Sequence, residues 1–180
     1  MLEHLVIDFI IVLGNSLDVG VPSDNTVSTA KIVDGAITSG KLASGVGGKV
    51  LQVVTGTTST ETSTTSTSYV ATNLTASITP SSTSSKIFIG LNGTYDTVAS
   101  GNQLQMTLYR NATDIITGGF LNAYNSGARQ VSGASLSYLD SPSTTSSTSY
   151  TVYIKQPGGG TVKFVSLGTE ASIVLMEVAV

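Results

Sequence analysis

Cysteine is missing from this 180-residue chain, and histidine occurs once, at position 4. Without thiols there is no disulfide to hold the fold and no thiolate to bind a metal, and the redox compartment is left undefined. A lone histidine far from any candidate nucleophile excludes a Ser-His-Asp triad and a histidine-rich metal site. Charge is scarce as well: Lys and Arg total 8, Asp and Glu 11, and the formal net charge is -3. The basic residues are scattered singly, so no patch exists to neutralise a phosphate backbone, which argues against nucleic acid as a partner. The apolar stretch "HLVIDFIIVLG" at residues 4–14 is too short to span a bilayer and is interrupted by Asp8. It also lacks the positive n-region and small-residue cleavage site of a signal peptide. A buried strand or docking segment is expected there, without membrane insertion, and a processed or membrane-associated segment is the other reading.

What the chain has in quantity is hydroxyl: 26 Ser and 26 Thr, against 40% apolar residues. Hydroxyls therefore take the place on the surface that charges hold in most soluble proteins. The length suits one domain with a real core and a short appendage.

One stretch repeats itself. "TVSTAKIVDG" (26–35) aligns with "AITSGKLASG" (36–45) at a period of ten, placing Val27, Ile32, Ile37 and Leu42 five residues apart. That spacing drifts around a helix and changes face at every step of a strand, so neither element buries the set within one chain. A repeat unable to cover its own apolar face needs copies, and only two repeats are present. Residues 26–47 are therefore expected to form a brief stalk wound from several chains, with Val27, Ile32, Ile37 and Leu42 facing its axis. "GVGGK" (45–49) lacks the setting of a P-loop and reads as a flexible joint.

Beyond residue 48 the pattern is of strands. "KVLQVVT" precedes a Ser/Thr run at 56–68, expected as a solvated loop or an edge strand. "YVATNLTASITP" puts Val70, Leu74, Ala76 and Ile78 on one face. "KIFIGL" (86–91) is nearly continuous in apolar residues, as for a strand covered on both sides, and Asn92-Gly93 carries a type I′ hairpin signal. "NQLQMTLYR" alternates with Leu104, Met106 and Leu108 inward, while 121–130 has no periodicity and reads as an exposed loop. Strands resume at 131–140, 149–156, 161–167 and 171–180. Eight to ten short strands with no helix predict an antiparallel β-sandwich, jelly-roll-like. The final strand is strongly apolar and requires cover.

The fragments "GKVLQVV", "SYVATNLTASITPSSTSSKIFIGLNG", "LYRNATDI", "SLSYLDSPSTTSSTSYTVYIK" and "SIVLMEV" together resemble the C-terminal head domain of bacteriophage tail and neck fibre proteins. "KIVDGAITSGKLASGVGGKVLQVV" is similar to the linker that precedes such heads. The resemblance implies a homotrimer, a location in the virion at tail, neck or capsid vertex, and a part in adsorption to the host cell. A sheet packed around a threefold axis would then cover the last strand.

For chemistry the sequence offers little. Asp96, Asp114, Asp140, Glu170 and Glu177 are isolated near predicted turns or strands, expected as solvated turn residues and an interfacial Glu177; a carboxylate pair formed in space stays open. No catalytic residue, metal site or cofactor is expected. If the head binds a cell-surface glycan or protein, Tyr124, Asn125 and Arg129 in the aperiodic loop are the candidates, a tyrosine giving contact area at low entropy cost and arginine a planar donor fork. The expected organisation is a virion-docking segment at 1–25 that meets other virion proteins, a stalk at 26–47 and a head at 48–180. A trimeric attachment fibre is the leading function, a capsid or neck decoration with a structural role the alternative.

Overall fold

The computed structural model describes residues 27–42 and 49–180. The chain divides into two compact units, Met1–Gly47 and Gly48–Val180. The expected docking segment at 1–25 lies outside the described residues.

In the first unit the sequence repeat is also a structural one. Short 3-10 turns at Thr29–Lys31 and Ser39–Lys41 stand ten residues apart. Equivalent bonds close them, Lys31 N–H to the Ser28 carbonyl and Lys41 N–H to the Thr38 carbonyl, both 2.9 Å. Neither an α-helix nor a strand forms over these residues, in keeping with the five-residue spacing. Val27, Ile32 and Ile37 are exposed and Leu42 is half-buried. A single chain leaves such a stripe open whether copies or solvent face it.

The second unit holds eleven strands: β1 (Val50–Thr58), β2 (Thr62–Thr64), β3 (Val70–Ile78), β4 (Lys86–Thr97), β5 (Gln103–Arg110), β6 (Thr113–Asp114), β7 (Leu121–Tyr124), β8 (Gln130–Asp140), β9 (Thr148–Lys155), β10 (Val162–Phe164) and β11 (Ala171–Val178). They form two antiparallel sheets packed face to face, a β-sandwich. With the short β2, β6 and β10 set aside, the sheets read β1-β11-β4-β8 and β3-β9-β5-β7. This interleaved order is that of a jelly roll, in which the first and last strands pair.

Alternation along each strand builds one core. Leu104, Met106 and Leu108 point inward as their spacing requires, opposite Ile87, Ile89, Ile173 and Leu175 of the other sheet, and all are fully buried. On β3, Leu74, Ala76 and Ile78 are buried and Val70 half-buried, but Thr72 joins the inner face. The register of β3 on β9 shifts between Ala71 and Thr75. There the Thr72 hydroxyl donates to the Val152 carbonyl (2.9 Å) and accepts from Leu74 N–H (3.2 Å), standing in for ladder bonds the bulge removes.

Four expectations change. Asn92-Gly93 is no hairpin: β4 runs straight through it, pairing with β8 from Ile87 to Thr97. Glycine is needed there because a Cβ would lie 2.7 Å from the Phe164 ring and 2.9 Å from Ala171. The "KIFIGL" segment is fully buried on one face only, since Phe88 and Gly90 stay half-exposed on the other. The last strand finds its cover inside its own chain, with β1 and β4 on its two edges and Ala171, Ile173 and Leu175 in the core. The aperiodic 121–130 stretch begins as a strand, β7, paired to β5. The Ser/Thr run resolves into the end of β1 and the edge strand β2 on β10.

Polar fasteners close the end of the sandwich where β1 begins. Glu177, fully buried on β11, accepts from Ser81 N–H (2.7 Å), Ser81 Oγ (2.6 Å) and Gln52 Nε2 (2.6 Å). Burial would raise its pKa, but these donors outweigh that and hold it down at about 2. Asp140 on β8 accepts from Tyr150 on β9 (2.6 Å) and from Arg110 on β5 (3.0 Å), tying one sheet to the other. Burial first, and the Asp140 carboxylate second, push the Tyr150 phenol well above its usual range, so it remains a donor.

Replacing Gly93 by alanine is expected to destabilise the fold by about 1–3 kcal/mol through overpacking against Phe164, measured as a shift in urea midpoint. The Glu177 carboxyl has a lower pKa folded than its ordinary 4.5, so its contribution is present above that value and is lost as pH falls toward about 2. The urea midpoint of the wild type should fall across that window, and Glu177→Gln should flatten much of the slope; an unchanged slope in the variant would remove Glu177 from this role.

Candidate functional site

Register places the side chains of the outer face of the β1-β11-β4-β8 sheet in rows. Nearest the end where the chain enters through Val50, one row is Val53, Met176, Phe88 and Leu139. Val53 and Leu139 are 53% and 51% exposed, and Met176 and Phe88 are half-buried between them. Exposed Val50 and Leu51 and half-buried Val178 extend this apolar band. The next row, Thr55, Val174, Gly90 and Ser137, is mixed in character. Farther along come Asn92 and Ser135, then Thr94 and Gly133, and there the face has a shallow, open cup of about 390 Å³ lined by Asn92, Thr94, Gly133, Ser135 and Glu170. This one face thus passes from apolar to polar over roughly 20 Å, six residues of strand rise.

The far end of the face is capped by an ion pair. Asp96, fully buried, receives Arg129 Nε at 2.9 Å and Ser166 Oγ at 3.0 Å on one oxygen. Burial alone would raise its pKa, yet Arg129 and Ser166 hold it below the ordinary carboxylate range. Its other oxygen has no hydrogen-bond partner among the described residues, and Lys163, opposite it in the register, supplies favourable positive charge.

The three residues proposed for receptor contact are near one another in sequence but not in role. Tyr124 is 64% exposed at the end of β7. Asn125 is buried; its amide donates to the carbonyls of Thr97, Ala99 and Ala128, and its Oδ1 accepts from Gly127 N–H. It shapes the loop and is removed from the candidate contact set. Arg129 keeps its side chain 45% exposed but spends its fork on Asp96. All three lie at the end of the sandwich opposite Val50.

Three of the five isolated acids are likewise not solvated turn residues: Asp96, Asp140 and Glu177 are buried and internally bonded. Glu177 in particular faces the inside of its own sandwich and not another chain. On the outer face of the second sheet, Tyr109 and Tyr153 stack with centroids 3.9 Å apart, Tyr69 meets Tyr109 edge-on, and Lys155 sits 4.3 Å over Tyr69. These rings pack on one another and so stiffen the face. Among the described residues no three His, Cys, Asp or Glu side chains gather to hold a metal ion, and no helix is long and apolar enough to cross a membrane. In the first unit, Val27, Ile32 and Ile37 line an open groove with Val33, Asp34 and Gly35, and Leu42 is not among its lining residues.

No protein-family profile matches this chain, and comparison with curated proteins returns no significant match. The cup escaped sequence reading because its walls come from positions some 35 to 80 residues apart; the one local signal was a glycine inside the strand pattern "VSGASLSYLD".

Arg129→Ala strands a buried carboxylate and is expected to lower the melting temperature by several degrees, whereas Tyr124→Ala, at an exposed position, should leave it within about a degree. Equal effects in calorimetry would contradict this division of roles.

Proposed function

We propose that this chain is a trimeric fibre of a phage virion that attaches the particle to the host cell surface. The observation that supports it most is that each unit by itself carries an uncovered apolar feature. One is the groove of Val27, Ile32 and Ile37; the other is the Val53, Met176, Phe88 and Leu139 row beside Val50. Copies of the chain cover both at once, the repeat forming the stalk and the heads meeting where they join it. Exposed Tyr124 and its loop lie at the opposite end of the head, the position from which a receptor is reached. Residues 1–25 then dock on other virion proteins. Three weak sites per trimer raise avidity through effective concentration, so each contact stays reversible. The reading assigns the protein no catalysis and no cofactor.

Decoration of the capsid or neck is the second reading. It is favoured by the commitment of Asn125 and Arg129 to the fold itself, which leaves Tyr124 the only one of the three free to meet a receptor.

Light scattering on the purified protein should give the mass of three chains, and labelled protein should bind host cells and block infection. Val53→Glu with Leu139→Glu, both at exposed positions, should keep the fold and weaken the trimer. A monomeric wild type would sink the fibre; a trimer indifferent to cells would leave decoration standing.

A further inference from the structure

The outer face carries two strand glycines that its own fold does not require, Gly90 and Gly133, and of these Gly133 lines the cup. Gly133 sits in the interior of β8, opposite Thr94, where glycine costs stability because it packs nothing and loses the most backbone freedom. Its φ is not in the left-handed region, and a Cβ built there would meet no atom within 4 Å. Gly93, in the next register position, differs: the Phe164 ring requires it. A strand glycine often marks a place where a ligand or another backbone approaches closely.

Gly133 lies in the floor of the cup. From this we infer that the cup is a binding site for a neutral, hydroxyl-rich ligand, a hexose unit of a surface glycan, seated over the Gly133 backbone. The inference rests on the attachment reading and names its ligand class. The chemistry of the walls selects that class. Asn92 offers a carboxamide that donates and accepts, Ser135 offers a hydroxyl, and Glu170 offers a carboxylate that accepts from paired hydroxyls, while the Thr94 hydroxyl is bonded to Thr169 and to Ser166 N–H. No cation lines the cup, so Glu170 repels phosphates and acidic sugars. Ala134, the one apolar residue of the lining, has its own side chain buried in the core. The volume, about 390 Å³, is at the low end of ligand clefts, which run about 300–1,000 Å³. The cup lies roughly 20 Å along the strands from the Phe88 row, so packing of heads through that row leaves it open.

Gly133→Val tests this, because the fold has room for the side chain and the ligand does not. The full-length variant should melt at or above the wild-type temperature and keep the wild-type mass in light scattering. Its binding to host cells should fall at least tenfold, as should that of Glu170→Ala. Neutral hexose oligosaccharides should compete with wild-type binding, while sialylated oligosaccharides and polyphosphate should not. Cell binding by Gly133→Val equal to the wild type overturns the inference and leaves attachment intact. Loss of the oligomer in that variant overturns it too, by assigning the cup to an interface. Wild-type protein that ignores both cells and oligosaccharides overturns the attachment reading along with it.

Discussion

The sandwich closes only when the last strand of the chain lies between the first and the fourth. β11 pairs along its length with β1 on one edge and with β4 on the other, and it brings Ala171, Ile173 and Leu175 into the core. Until it arrives, β1 has no pairing partner and the inner face of β3 lacks part of its cover. Pairing residues more than a hundred positions apart carries a high loop-closure cost before any contact repays it, which makes this a slow-folding topology. Those same contacts are what make the finished head compact without a disulfide.

Charge is rare here, and much of it is spent inside. Glu177 holds the loop after β3, Asp140 bridges the sheets through Tyr150 and Arg110, and Asp96 holds Arg129 and the turn after β10. Each is a charge-assisted set with donors from distant segments, stronger than neutral hydrogen bonds and costly to break by halves. Segments far apart in the chain meet at these points: "ITPSSTSSKI" supplies Ser81 to the Glu177 of "LMEV", and "SYLDSPSTTS" supplies Asp140 to the Arg110 of "LYRNATDI". What they have in common is a structural duty, the closing of one end of the sandwich.

The outer face of the β1-β11-β4-β8 sheet has a direction. Apolar side chains lie where the chain enters, small and hydroxyl side chains follow, and the buried Asp96 pair closes the far end. Binding proposals on this face differ by position accordingly: apolar contact with copies at one end, hydrogen-bonded recognition of a polar ligand in the middle.

How much of this was legible follows from the range of each signal. Period-two alternation is local, so the inward set Leu104, Met106 and Leu108, the sandwich class, and strands expected at 131–140 and 171–180 and found at Gln130–Asp140 and Ala171–Val178 could be read from the sequence. The ten-residue repeat, too, is local, and its 3-10 turns recur at that period. Asn92-Gly93 misled because a turn signature is written in two residues, whereas the need for Gly93 comes from Phe164, far along the chain. Asn125 misled because a polar residue without periodicity looks the same whether it faces solvent or ties three carbonyls together. The sequence by itself determined which residues of the strands turn inward, since that depends on spacing along the chain. Only the tertiary structure decided that β11 lies centrally, that Glu177 faces inward and that Asn92, Gly133 and Glu170 share a cup, because these are distances between segments that no local pattern encodes.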